Sequence, residues 1–172
     1  AAYQAVQLAD IKRFHQEFYG ANRGEIAIVG DFDEAEVVKA ITEAFAGFKT
    51  SAPYQRLAGT FKDVAPVNKA IETPDKENGV FRARLNIELN VDDADYPALY
   101  LANYIFGGGA GLNSRLSERI RQKEGLSYGV GSSLTLSTLD RDGSWAVEGI
   151  AAPQNMAKLE AAFHDELSKA IT

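Results

Sequence analysis

Residues 106–132 read FGGGAGLNSRLSERIRQKEGLSYGVGS. The glycine run at 107–111 breaks any helix that enters it. Asn113 or Ser114 then caps a new helix running to about Lys123, and Gly125 closes it where a left-handed residue is favoured. Leu126–Ser137 follows as a strand. Leu112, Leu116 and Ile120 fall within an arc of ~80° at ~100° per residue, so they form the stripe expected to be buried. Arg121 lies ~140° from the centre of that stripe and is expected to point out of the core. Tyr128 stands seven residues later at the start of the strand. One helix end and one turn separate the two, which allows them to meet on one rim.

On the N-terminal side of this stretch, Val80–Val91 alternates. Phe81, Ala83, Leu85, Ile87 and Leu89 are interleaved with Arg82, Arg84, Asn86 and Glu88, which predicts a strand with one buried face. Asp95–Phe106 reads as a helix, with Pro97 tolerated in its first turn. Further back, Lys69–Thr73 is a candidate strand, and Thr73-Pro74-Asp75 and Asn78-Gly79 mark turns. From Lys49 to Pro66 the periodicity lapses, as in an extended surface connection. GEIAIVG at 24–30 is a short apolar run between glycines and predicts a buried strand. Leu8, Ile11, His15 and Phe18 line one helical face, and Gly20 is placed as its left-handed cap. Asp33 and Glu36 predict a capping box for a helix whose inner face is Val37, Val38, Ile41 and Phe45.

Towards the C-terminus, Arg141–Ala151 pairs with the strand at 126–137 across a turn near Asp140–Gly143. The last helix is expected to bury Met156, Leu159, Phe163, Leu167 and Ile171. Strand pairs joined by tight turns and interspersed with helices predict an α+β fold, with a mixed, mostly antiparallel sheet and helices packed on one face.

Composition narrows the chemistry. The chain has 172 residues, 45% hydrophobic and 24% charged, which suits one domain (1–172) with a full core. The net charge of -6 repels phosphate backbones, so no nucleic-acid partner is expected. Cysteine is absent, which removes disulfides, thiolate metal sites and cysteine nucleophiles. No apolar run approaches the ~20 residues that span a bilayer. The first residue is Ala1, and apolar periodicity still runs at Ile171, so the chain is expected to be a C-terminally truncated piece of a longer protein. The compartment stays open between bacterial cytoplasm and periplasm.

Catalytic constellations are missing. His15 and His164 are the only histidines, and neither sits in an H-x-x-E-H or H-E-x-x-H motif. His15 reads as a core histidine and His164 as a solvent-facing one. A catalytic zinc usually needs three protein ligands, and no such set is present, so no catalytic or metal-ligating residue is assigned. The glycine run is no phosphate loop, because no Gly-Lys-Ser/Thr follows it. It is no dinucleotide fingerprint either, because a helix precedes it.

Arg121 and Tyr128 are the candidate substrate-binding residues. Both offer hydrogen-bond donors in planar geometry, suited to a peptide carbonyl or to the oxyanion that develops in hydrolysis. Simpler readings stand beside this one. An arginine in the last turn of a helix is favoured by the helix dipole alone. Tyr128 shares strand parity with Leu126, Val130, Leu134 and Leu136, which also fits a core residue with its hydroxyl at the edge.

The segment at 106–132 resembles the second-domain motif of the insulinase/pitrilysin family of zinc peptidases, the inverzincins. The glycine turn, Ser114-Arg115-Leu116 and the series Arg121, Glu124, Gly125, Leu126, Tyr128 carry the match. LADIKRFHQEFYGANRGEIAIVGDFDEAEVVKAI at 8–41 is similar to the opening of the same domain. The resemblance implies the mitochondrial-processing-peptidase-like metallohydrolase fold. It implies a non-catalytic, substrate-holding domain in which Arg121 and Tyr128 hold the peptide near a zinc. That zinc is expected on an H-x-x-E-H domain of the same chain or of a partner subunit, and none is expected on this chain. The alternative is an inactive scaffold or assembly subunit of the same family. A third, more remote reading is a binding module on an unrelated fold.

Overall fold

The computed structural model describes residues 2–109 and 113–171. The chain divides into two compact units, Ala1–Leu57 and Ala58–Thr172.

The first unit holds α1 (Leu8–Phe18) and α2 (Glu34–Ala44). Asp33 caps α2 as its sequence predicts, accepting the Glu36 amide at 2.9 Å. The unit is tied by hydrogen bonds around Thr50. Asn22 Oδ1 accepts the Thr50 amide and Asn22 Nδ2 donates to the Thr50 carbonyl, each at 3.0 Å, while the Thr50 hydroxyl bonds Glu17 O. Gly20 does not take the left-handed cap expected of it: its φ of -174° is extended. Glycine is needed there for close approach, because a Cβ would stand 2.3 Å from the Thr50 nitrogen.

Several apolar expectations fail in this unit. Residues 24–30 form no strand, and Ile26, Ile28 and Val29 are exposed. A strand requires a neighbour to complete its ladder, and among the described residues no ladder partner lies beside this run. Leu8, Ile11 and Phe18 are exposed, as are Val38 and Phe45, while Val37 and Ile41 are half-buried. His15 is not a core histidine. It is exposed in a stack of rings, with centroids 5.2 Å from Tyr19 and 5.6 Å from Phe48.

The second unit carries the sheet. β1 (Gly79–Ile87), β2 (Ser127–Thr135) and β3 (Gly143–Ala151) form a three-stranded antiparallel sheet in the order β1-β3-β2. The candidate strand at 69–73 does not pair, and Ile71 is exposed. α3 (Tyr96–Asn103) runs into a π-helical turn at Tyr104–Gly108. Ser114 then starts the next helical segment. Its hydroxyl lies 3.3 Å from the Ser117 amide, and its carbonyl accepts the Glu118 amide at 2.8 Å. The segment widens into a second π-helical turn at Ser117–Lys123. α4 (Met156–Ala170) packs on the sheet face lined by Phe81, Val147 and Gly149.

Leu116, Ile120, Val147, Leu159 and Phe163 form the centre of the core, with Phe106 and Leu126 around them. The stripe read from 116 and 120 is therefore correct, while Leu112 lies outside the described residues. Trp145 packs against this core, and its indole N–H donates to Asn103 Oδ1 at 2.9 Å. α4 buries Leu159 and Phe163 and half-buries Met156 and Leu167. Ile171 is exposed, because α4 ends one residue before it. The α+β architecture with an antiparallel sheet is as the sequence predicts.

Candidate functional site

Arg121 and Tyr128 are brought together. The Arg121 guanidinium carbon lies 4.3 Å from the centroid of the Tyr128 ring, within range of a cation–π contact. Tyr128 is 83% exposed and Arg121 is half-buried.

Two local devices produce this meeting. Arg121 sits in the π-helical turn that Leu116 and Ile120 anchor in the core. The turn ends at Gly125, whose φ of 62° is left-handed. The Leu126 amide bonds back to the Ile120 carbonyl at 2.9 Å, and both side chains are buried, the hydrophobic contact expected of such a cap. The chain thereby turns into β2, whose second residue is Tyr128.

A β-bulge supplies the second device. Ser127 pairs with Ala151 and Gly129 with Ile150, so Tyr128 is the extra residue with no partner across the ladder. The strand parity that offered Tyr128 a place in the core is broken there. The Ser127 hydroxyl closes the bulge, lying 2.6 Å from the Ile150 carbonyl and 3.1 Å from the Gly129 amide.

Electrostatics leave the pair available. Among the described residues no carboxylate pairs with Arg121, and no hydrogen bond engages the Tyr128 hydroxyl. The neighbouring cations are all occupied. Arg115 pairs with Glu166 at 3.0 Å, Arg119 with Glu124 at 2.6 Å and Lys123 with Glu118 at 2.8 Å. Glu118 is held below the usual carboxylate range by its hydrogen bond from Lys123. The chemistry open to the pair is donation to an acceptor arriving from solvent.

A shallow cleft of about 340 Å³ adjoins Tyr128, bounded by Leu126, Gly129, Ile150 and Ala152. Sequence reading missed it, because Ile150 faces outward only through the register of β3. The buried carboxylate of Glu166 was missed too. Its signal was present, since Glu166 stands three residues after Phe163 on the apolar face of α4. Among the described residues no group of three or more His, Asp or Glu side chains converges as a metal site. His164 is exposed, as its place on α4 predicts.

The family model of the peptidase M16 inactive domain matches residues 5–172. The chain belongs to this family. Its M16 membership agrees with the resemblance carried by residues 8–41 and 106–132. A crystal structure described as a peptidase M16 inactive domain from Pseudomonas fluorescens is similar at 27% identity and a TM-score of 0.65, over 96% of this chain and 39% of that one. A protease from Helicobacter pylori shares the fold at 18% identity and a TM-score of 0.62, over 97% of this chain and 43% of that one. The M16 chain described here thus spans less than half the length of either. No curated protein matches at a significant level. Among the described residues no helix is long and apolar enough to cross a membrane.

Proposed function

We propose that this M16 domain holds the substrate of a zinc-dependent peptidase, with Arg121 and Tyr128 donating to the peptide carbonyl or to the oxyanion that develops on it. The observation that carries this reading is the contact of half-buried Arg121 with exposed Tyr128, 4.3 Å apart and, among the described residues, free of a competing carboxylate. A guanidinium and a phenol fixed against each other lose little freedom when they bind, which is what makes preorganised donors effective in a transition state. Ala and Phe replacements of these residues therefore remove donors without disturbing the core.

The residues of this chain do not fit a zinc site, since no three suitable ligands converge among those described. The metal belongs to an H-x-x-E-H segment on another domain of the parent chain or on a partner subunit, and this chain takes no part in ligating it.

The test is turnover by the complete enzyme. Arg121→Ala and Tyr128→Phe are each expected to lower kcat by about 100-fold, the scale of losing one oxyanion donor, with zinc content unchanged. Full activity in both variants refutes the role and favours the scaffold reading, in which the domain assembles the enzyme without touching substrate.

A further inference from the structure

Glycines in this chain usually have an internal reason. A Cβ at Gly107 would stand 2.8 Å from the Ser132 nitrogen, and one at Gly143 would stand 2.1 Å from Leu136 Cδ2. A Cβ at Gly149 would press on Leu159 at 3.2 Å. Gly129 differs from all three. Nothing lies within 4 Å of its Cβ position, and its φ is not left-handed. Yet Gly129 occupies a strand, where a glycine adds chain entropy and packs nothing. Neither the space around it nor its backbone conformation accounts for the missing side chain.

Its surroundings suggest what does. Gly129 lies opposite Ile150 in the ladder, and both line the cleft beside Tyr128. Leu126, Ala151 and Ala152 complete its apolar walls, Asn78 adds one polar side chain, and no charged side chain lines it. The hydroxyl of Ser127 is already engaged with the backbone of the bulge. Apart from the Asn78 side chain and Tyr128, the remaining uncommitted surface is aliphatic, with Ile150 47% exposed.

Resting on the reading of Arg121 and Tyr128 as substrate holders, we propose that this cleft receives one aliphatic side chain of the bound peptide and that Gly129 keeps it open. A peptide whose carbonyl meets Tyr128 brings a neighbouring side chain within reach of the cleft that Tyr128 lines. A charged side chain would lose water there and find no opposite charge in the lining. An aliphatic one gains contact with Ile150, Leu126 and Ala152. The selection is made by room: a β-branched residue at 129 fills the space that the incoming side chain needs.

The experiment uses the complete peptidase and a peptide series varied at one position through Ala, Leu, Ile, Lys and Asp. The unmodified enzyme is expected to favour Leu and Ile at one position near the scissile bond. Gly129→Val, which suits a strand and meets no neighbour, is expected to keep the melting temperature. It should lower kcat/KM for the Leu and Ile peptides about tenfold and leave the Ala peptide within about twofold. Ile150→Thr keeps the β-branch but exchanges the ethyl arm for a hydroxyl, and it should narrow the preference for Leu over Lys. If Gly129→Val fails to fold, Ile150→Thr and Gly129→Ala decide. An unchanged selectivity profile in the folded variants overturns the proposal. The holding role fails differently: Arg121→Ala and Tyr128→Phe would then leave turnover of every peptide intact.

Discussion

Arg119 and Glu124 pair across the end of the helical turn that leads from Arg121 to Tyr128, with Arg119 Nε 2.6 Å from Glu124 Oε1. The contact is an ion pair without hydrogen-bond alignment, since Arg119 Nε is buried and has no aligned acceptor. The Glu124 amide also bonds the Arg119 carbonyl at 3.2 Å, so side chain and backbone close the same turn. Arg119 reaches on to Asp165 of α4 at 3.6 Å, and Asp165 is gripped by Lys169 at 2.6 Å. The turn is thereby staked to the helix that packs on the sheet.

This arrangement predicts that Glu124→Gln changes the site more than the fold. Both partners are about a third exposed, so the pair contributes about 1 kcal/mol or less. The melting temperature is expected to fall by only a few degrees. NMR of this chain reads the geometry directly, because the Tyr128 ring current moves the Arg121 δ-protons upfield. That shift should shrink in Glu124→Gln and vanish in Tyr128→Leu. An Arg121 shift identical in the two folded proteins would show that the ion pair positions nothing.

A second prediction concerns the polar contact behind the site. Asn103 Oδ1 accepts both the Trp145 indole N–H at 2.9 Å and the Ser132 hydroxyl at 2.8 Å. All three residues are half-buried. Asn103→Leu leaves the Trp145 indole N–H without its acceptor, while the Ser132 hydroxyl keeps the Asn103 backbone carbonyl at 3.4 Å, and should cost about 1–3 kcal/mol. Trp145 is the sole tryptophan, so its emission reports the loss alone. Asn103→Asp keeps the acceptor and is expected to retain most of the stability. Equal melting temperatures for Asn103→Leu and the unmodified chain would contradict this account.

Much of the architecture is legible in residues 79–170, and the reason is local. The alternation of Phe81, Ala83 and Ile87 with Arg82 and Arg84 marks a half-buried strand, although Leu85, expected on the same buried face, is exposed, and the stripe of Leu116 and Ile120 marks a buried helical face. These patterns are satisfied by neighbours within the second unit. The run at 24–30 has the composition of a buried strand, but composition does not provide a ladder partner. The π-helical turns leave no periodic signature, so the sequence yields a plain helix where the structure widens. Arg121, read as pointing out of the core, is half-buried with its guanidinium over the Tyr128 ring. The orientation of Tyr128 could not be read, because strand parity is blind to a bulge at Ser127–Gly129. No spacing marks Gly129, because openness around a glycine is a property of space.

Beside Glu118, two aspartates held below their usual range should let acid destabilise the chain. Asp93 is lowered first by the Asn90 amide, which it accepts at 2.7 Å, and then by Arg141. Asp165 is lowered first by its hydrogen bond from Lys169. A depressed folded value means that these groups bind protons less readily folded than unfolded. Their stabilisation is complete above the ordinary aspartate range and is lost as the pH falls through the lower folded values. Thermal melts are expected to be flat from neutrality down to that range and to drop below it. Asp93→Asn, which cannot titrate, should make the drop shallower. A melting temperature that rises on acidification would reverse the sign and dismiss the assignment.

Gly125 offers a test of how the site depends on a single backbone angle. Its φ of 62° lies where a Cβ meets the following carbonyl, and no other atom lies within 4 Å of the Cβ position. The penalty for Gly125→Ala is therefore backbone strain alone, about 1–2 kcal/mol. For a domain of this size that corresponds to a fall in melting temperature of about 2–8 °C, at about 2–4 °C per kcal/mol. Gly125→Asn should lose less, since asparagine visits the left-handed region more readily. The strain can also be relieved by turning the backbone, which would carry Tyr128 away from Arg121. Gly125→Ala should then reduce the Arg121 upfield shift in proportion to its loss of stability, with Asn between Ala and Gly. A stable Ala variant with the shift intact would mean that the left-handed residue is incidental to the pairing.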